Sequence, residues 1–377
     1  MAKELLTRPS SGDILPAREA IEKISMADLT PPIEVPPIPN EARPDGIPEK
    51  ERQFLKSEIR RLKKVRNALV IAHNYQIEDI HEVADYSGDS LYLAQKGIES
   101  DADVVVEPAV LFMPQILEVM RIVENRKKPI ILAPNLNALC SLAAHADPNK
   151  ILAWKRANPK GIVIMYVNTY VEVKALTDYC CASANAEKVL AYVAEKHPDT
   201  PLLFGPDVHL GYFAAKKLIE MGYSIDQLSL MIGACHVHDE IRMYHILARK
   251  KEHPHAATIA HRECGCTAAC MTQIEDGLIS TKELRFGSTS SFFKQAEEMP
   301  QKEIIVATEN GIIPLLSKAV PGKTFIPANP NAVCEFMKQN TLRNLYESLR
   351  DMKHVVTVDP KLAKRAYVPI KRMLEIQ

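Results

Sequence analysis

The chain has 377 residues, 46% of them hydrophobic and 25% charged, proportions of a globular chain long enough for two or three domains. Its 47 Lys and Arg balance 47 Asp and Glu, so it lacks the basic excess of a nucleic-acid binder. No apolar run approaches the ~18 residues of a membrane span, eight cysteines are too few for a disulfide scaffold, and MAKELLTRPSSGDILPAREA has no apolar signal core; a cytoplasmic enzyme without membrane or nucleic-acid partners is expected.

Nine of the 26 prolines fall in the first fifty residues, including Pro31, Pro32, Pro36, Pro37 and Pro39. Proline fixes φ and removes a backbone donor, so residues 1–50 cannot be regular throughout. They read as a proline-rich arm, either extended over the globular part or a disordered tail. A charged helix, EKERQFLKSEIRRLKKVR, opens the compact chain near Glu49. Short apolar, β-branched runs then recur: ALVIAH (68–73), DVVVEPAV (103–110), PIILAP (129–134), GIVIMYV (161–167), PLLFGP (201–206), LSLMIGA (228–234), AATIAH (256–261) and EIIVAT (303–308). Helical patterns such as EKVLAYVAEKH and FFKQAEEM separate them. Apolar strands alternating with helices imply α/β architecture with parallel sheets covered on both faces. In such sheets ligands sit beyond the carboxyl ends of the strands.

The residues after these strands repeat. The pairs His73/Tyr75, Tyr166/Asn168 and His261/Glu263 recur at steps of 93 and 95 residues. Ser90, Ser183 and Thr289, each expected to cap a helix, recur at steps of 93 and 106. Cys140, Cys235 and Cys334 recur at steps of 95 and 99. The order is the same each time. The reading is three homologous three-layer αβα domains, 51–145, 146–240 and 241–334, with 335–377 packing back on the first. About a pseudo-three-fold axis, the three series would line one central site.

Three convergent thiolates suit zinc or an iron–sulfur cluster, and their long spacing excludes a zinc finger. Three cysteines can hold three irons of a 4Fe-4S cluster and leave the fourth open as a Lewis acid. Hydroxyls at helix N-termini make an anion site, although ordinary capping would also place them there. His73, Tyr75, His238, His261 and Glu263 supply acid–base capacity. A second trio, Cys264, Cys266 and Cys270, breaks the repeat and coincides with its enlarged step. It reads as an insertion in which Cys266 and Cys270 form at most a redox-labile surface pair, with Cys264 left open because it adjoins Glu263 and could pack against the cavity, and Cys180-Cys181 reads as structural. PGKT (321–324) has Ser317 where a P-loop needs glycine, and no GxGxxG or HExxH occurs. On residues alone, an iron–sulfur hydro-lyase, a cluster carrier and a zinc enzyme all remain open.

The chain resembles the quinolinate synthase A family over roughly residues 50–377. The resemblance rests on AHNYQ (72–76), GDSLYLA (88–94), CSL (140–142), YVNT (166–169), EVKAL (172–176), CASANA (181–186), GPDVHLG (205–211), GACHVHDE (233–240), the His261/Glu263/Cys264 element, GSTS (287–290), ATENGI (307–312), Cys334 with Met337-Lys338, and RAYVPIKRML (365–374). It implies three α/β domains about a pseudo-three-fold axis. It also implies condensation of iminoaspartate with dihydroxyacetone phosphate to quinolinate in NAD biosynthesis, and supply of the imine by an aspartate-oxidising enzyme. The implied cofactor is one 4Fe-4S cluster per chain, held by Cys140, Cys235 and Cys334 with one open iron. The implied substrate site is His73, Tyr75, Ser90, Tyr166, Asn168, Ser183, His238, His261, Glu263 and Thr289. His73, Tyr75, Tyr166, His261 and Glu263 would be catalytic, and the three hydroxyls would hold phosphate. The chain departs from the family pattern at Arg262, at Gln115 and at Tyr170-Val171.

Overall fold

The computed structural model describes residues 8–376. The start of the proline-rich arm, residues 1–7, and Gln377 lie outside the described residues. Among the described residues, thirteen strands form three sheets. They are β1 (Ile14–Pro16), β2 (Ala68–His73), β3 (Tyr86–Gly88), β4 (Val104–Val106), β5 (Ile130–Leu132), β6 (Ile162–Tyr166), β7 (Tyr179–Cys181), β8 (Leu202–Gly205), β9 (Leu228–Met231), β10 (Ala257–His261), β11 (Leu284–Gly287), β12 (Glu303–Ala307) and β13 (Thr324–Pro327). The sheet orders are β3-β2-β4-β5, β1-β9-β8-β6-β7 and β11-β10-β12-β13. Apart from β1, every pairing is parallel, and the order second-first-third-fourth is the same in all three. The register also repeats: Val70 pairs with Val106, Val163 with Leu203, and Thr258 with Ile305. Val104–Val106 and Leu202–Gly205 are buried at every residue, as strands covered on both faces must be.

All eight apolar runs form strands. β3, β7 and β11 are short edge strands that no apolar run announces. The enlarged step has a simple origin. A four-residue helix follows β2 (Glu78–His81) and β6 (Val171–Lys174), whereas nine residues, Thr267–Glu275, form the helix after β10.

The described part of the arm is laid over the globular chain. Ile14 pairs with Met231, which adds β1 as the antiparallel edge of the middle sheet. Further along, Gln339 Nε2 donates to the Pro37 carbonyl at 2.9 Å, and Arg343 meets Glu41 at 2.7 Å. The helix Leu342–Asp351 packs on Glu49–Val65, beside the first sheet. The last helix, Pro360–Glu375, packs between Phe112–Val123 and the β7 edge of the middle sheet. Among the described residues, no helix is long and apolar enough to cross a membrane.

Candidate active site

One cavity draws on loops from all three sheets. His73, Tyr166 and His261 are the last residues of β2, β6 and β10, and Tyr75, Asn168 and Glu263 follow two residues on. These six line the cavity with Ser90, Ser183, Thr289, His238, Cys140, Cys235 and Cys334, so the three repeated series and His238 meet there. The remaining wall includes the apolar side chains of Val110, Phe112, Met113, Leu142 and Met337.

The acid–base groups interlock across sheets. The Tyr166 hydroxyl donates to Glu263 Oε1 at 2.6 Å. His261 Nδ1 lies 3.4 Å from the same oxygen. The His238 and His261 rings are 4.7 Å apart, as are His73 and Tyr75 at 4.6 Å. Tyr75 shares a 2.7 Å hydrogen bond with the Thr308 hydroxyl, and its amide donates to His73 Nδ1 at 3.2 Å. Burial pushes Glu263 up to about 7 and holds His73 and His238 neutral, down to about 3. It drives His261 below its ordinary value and both tyrosines above theirs. Donor atoms of His238, His261 and Glu263 lie within 4.8 Å of one another, a spacing that also suits a metal cation.

The three hydroxyls are not helix caps, contrary to the sequence expectation. Asp89 caps Ser90–Glu99 by accepting from the Tyr92 amide, and Ser288 caps Thr289–Glu298 by accepting from Ser291. Ser90 and Thr289 are the first residues of those helices, and Ser183 lies three residues before the helix Ala186–Lys196. Capping therefore does not consume these hydroxyls. All three line the cavity.

The cysteines share a repeated local geometry. Backbone amides downstream face each sulfur: Leu142 and Ala143 toward Cys140, His238 toward Cys235, Met337 toward Cys334. Burial raises the thiols, Cys140 to about 11 and Cys334 to about 12, and neighbouring cysteines raise Cys235 and Cys334 further. The cysteine amides are themselves held. Cys334 N–H donates to Glu309 Oε1 at 3.0 Å, Cys140 N–H donates to the Tyr170 hydroxyl at 3.0 Å, and the Asp207 carboxyl faces the Cys235 amide. Glu309 is locked in turn by Lys338, whose Nζ lies 2.9 Å away and also donates to the Tyr75 carbonyl.

Sequence reasoning missed Asp207, Glu309 and Tyr170 in this role. The repeat register contains the signal. Asp207 and Glu309 each lie four residues beyond the equivalent positions Leu203 and Ile305. The same count from Val106 reaches Val110, which cannot accept a hydrogen bond, and Tyr170 from the neighbouring sheet serves Cys140 instead.

The second cysteine trio is buried, which corrects the expectation of Cys266 and Cys270 as a surface pair. Cys264, Cys266 and Cys270 are all 0% exposed. Their thiols meet in series, with Cys264 donating to the Ala307 carbonyl at 3.2 Å and Cys270 lying 3.5 Å from Met243 Sδ. Burial and these contacts hold the thiols above their ordinary range, the state of inert packing groups. Cys180 and Cys181 are likewise buried, in β7. Arg262 turns away from the cavity: its guanidinium bonds the Ser183 carbonyl, pairs with Glu187 at 3.1 Å and covers the Phe213 ring at 4.8 Å.

The sequence profile of the quinolinate synthetase A protein family matches residues 57–375. The quinolinate synthase of Pyrobaculum aerophilum is 40% identical over 322 residues, covering 85% of this chain and 99% of the relative. That of Thermus thermophilus is 40% identical over 324 residues, covering 86% and 98%. That of a Nostoc species is 35% identical over 341 residues, covering 89% and 96%.

Proposed function

This chain belongs to the quinolinate synthase A family, and from that membership we infer that it condenses iminoaspartate with dihydroxyacetone phosphate to quinolinate, phosphate and two waters, in NAD biosynthesis. The observation that carries this reading is one cavity that joins three cysteines, three hydroxyls and the Tyr166–Glu263 pair from three separate sheets. Three homologous domains, 51–145, 146–240 and 241–334, lie about a pseudo-three-fold axis with the active site on it. The identical strand order and register of the sheets support this arrangement.

The donor set fits a 4Fe-4S cluster. Cys140, Cys235 and Cys334 would hold three irons. Backbone amides face each sulfur, and thiols that burial keeps protonated need a bound cation to ionise. When bound, the cluster's open iron supplies a Lewis acid for substrate oxygens during dehydration.

The rest follows from the chain's own groups. Ser90, Ser183 and Thr289 hold the triose phosphate, aided by first-turn amides of two helices. His73 accepts at Nδ1 from the Tyr75 amide, so its neutral ring offers Nε2–H to the triose, with the Tyr75 hydroxyl beside it. Glu263, close to neutrality in its proton affinity, takes and returns protons, with His261 and His238 alongside. Tyr166 and Asn168 orient the condensing chain. The apolar wall protects an imine that hydrolyses in water, which also requires an aspartate-oxidising enzyme in the same cytoplasmic compartment.

The test is product analysis. Protein purified without air, given iminoaspartate and dihydroxyacetone phosphate, is expected to form a pyridine dicarboxylate. A hydro-lyase of another substrate would form none.

A further inference from the structure

The residues that immediately follow the three cavity cysteines are Ser141, His236 and Glu335. They come from three separate segments, the starts of the short helices Ser141–His145 and His236–Asp239 and the turn after Cys334, yet they touch. His236 Nδ1 lies 2.7 Å from the Ser141 hydroxyl, and His236 Nε2 lies 2.7 Å from Glu335 Oε2. Both ring nitrogens are thus engaged, and one row runs from the first cysteine loop through the second to the third. With a carboxylate accepting from Nε2–H, Nδ1 of the neutral ring accepts from the serine hydroxyl, so donors and acceptors match along the row. The ring is fixed further by an edge contact with Phe336 at 5.7 Å.

The row has the residue types of a nucleophilic triad, but Ser141 is 2% exposed and none of the three lines the cavity. No substrate reaches the hydroxyl. What the row reaches is the backbone next to each cysteine.

We propose that Ser141, His236 and Glu335 form a positioning clasp that ties the three cysteine loops together and sets the spacing of their sulfurs. The proposal rests on the reading of Cys140, Cys235 and Cys334 as cluster ligands. Groups that orient metal ligands typically change metal retention 10–100-fold when removed. A clasp through a shared histidine also makes a specific demand. Removing Ser141 or Glu335 cuts one of its two links, so each removal loosens the trio, whereas Glu335→Gln keeps an acceptor oxygen for Nε2–H.

The experiment uses anaerobically purified full-length protein and follows the bleaching of visible absorption by an iron chelator, with the melting temperature of the apo-protein measured alongside. Ser141→Ala, His236→Ala and Glu335→Ala are expected to bleach roughly 10-fold faster or more. Glu335→Gln should stay within a few-fold of the unaltered protein, and apo-protein melting should fall by no more than about a few degrees in any variant and out of step with the bleaching rates. Equal bleaching rates in iron-loaded variants and unaltered protein overturn the clasp while leaving the cluster reading intact. So does faster bleaching that tracks a falling apo-protein melting temperature, because that marks general destabilisation. Unaltered protein that carries no iron overturns both.

Discussion

The Tyr166 hydroxyl donates to Glu263 Oε1 at 2.6 Å, joining the end of β6 to the loop after β10. This bond crosses between two sheets at the cavity wall. It also opposes the burial that raises Glu263, since a phenol donating to a carboxylate favours the charged form.

Glu263→Gln should keep the fold and the iron but lose about 10²–10⁴-fold in turnover, because the amide preserves shape and removes the base. Steady-state rates at matched iron content check this, and unaltered turnover would remove Glu263 from the mechanism.

The pH profile follows from the same pair. Burial holds Glu263 near 7, so its basic form appears as pH rises through that value, and kcat/KM should rise with it. Tyr166→Phe deletes the bond that favours the carboxylate. The rising limb should then move to higher pH, and an unmoved limb would assign it to another group.

Ser90→Ala, Ser183→Ala or Thr289→Ala should each raise KM for dihydroxyacetone phosphate about 10–150-fold, the cost of one hydrogen bond to a charged group. KM for iminoaspartate should change far less. Equal changes in both constants would show that the hydroxyls shape the cavity rather than bind phosphate.

Glu107 gives a stability prediction away from the site. Its carboxyl is 1% exposed with both oxygens unpartnered, and burial raises it to about 8. The folded chain therefore holds the proton more tightly than the unfolded chain, where glutamate titrates near ~4.3. Its contribution is full below that lower value and is lost as pH rises through about 8, by roughly 3–5 kcal/mol. Glu107→Gln should flatten this decline in melting curves between about pH 5 and 9.

Much of this was legible in the sequence because the strand-end residues repeat in register. His73, Tyr166 and His261 end equivalent strands, so period alone placed them together. What escaped was contact across the repeats. Asp207 and Glu309 lie outside the cysteine motifs, and Tyr170 holds an amide 30 residues away. The hydroxyls were mistaken for caps because Asp89 and Ser288 stand directly before Ser90 and Thr289 and do the capping. The edge strands β3, β7 and β11 are three or four residues long and read YSG, YCC and LRFG, without the β-branched residues that mark β4 and β5 at similar length. The second cysteine trio looked like an exposed insertion because nothing local reveals that the helix Thr267–Glu275 buries it.

The central claim is that Cys140, Cys235 and Cys334, drawn from three loops, hold one iron–sulfur cluster. Iron content and visible absorption test it most directly, on Cys334→Ala beside a Cys266→Ala, Cys270→Ala double variant, both purified without air. The account predicts that the double variant is brown with the iron of the unaltered protein, and that Cys334→Ala has lost iron and colour. A colourless double variant beside a brown, iron-replete Cys334→Ala would contradict it.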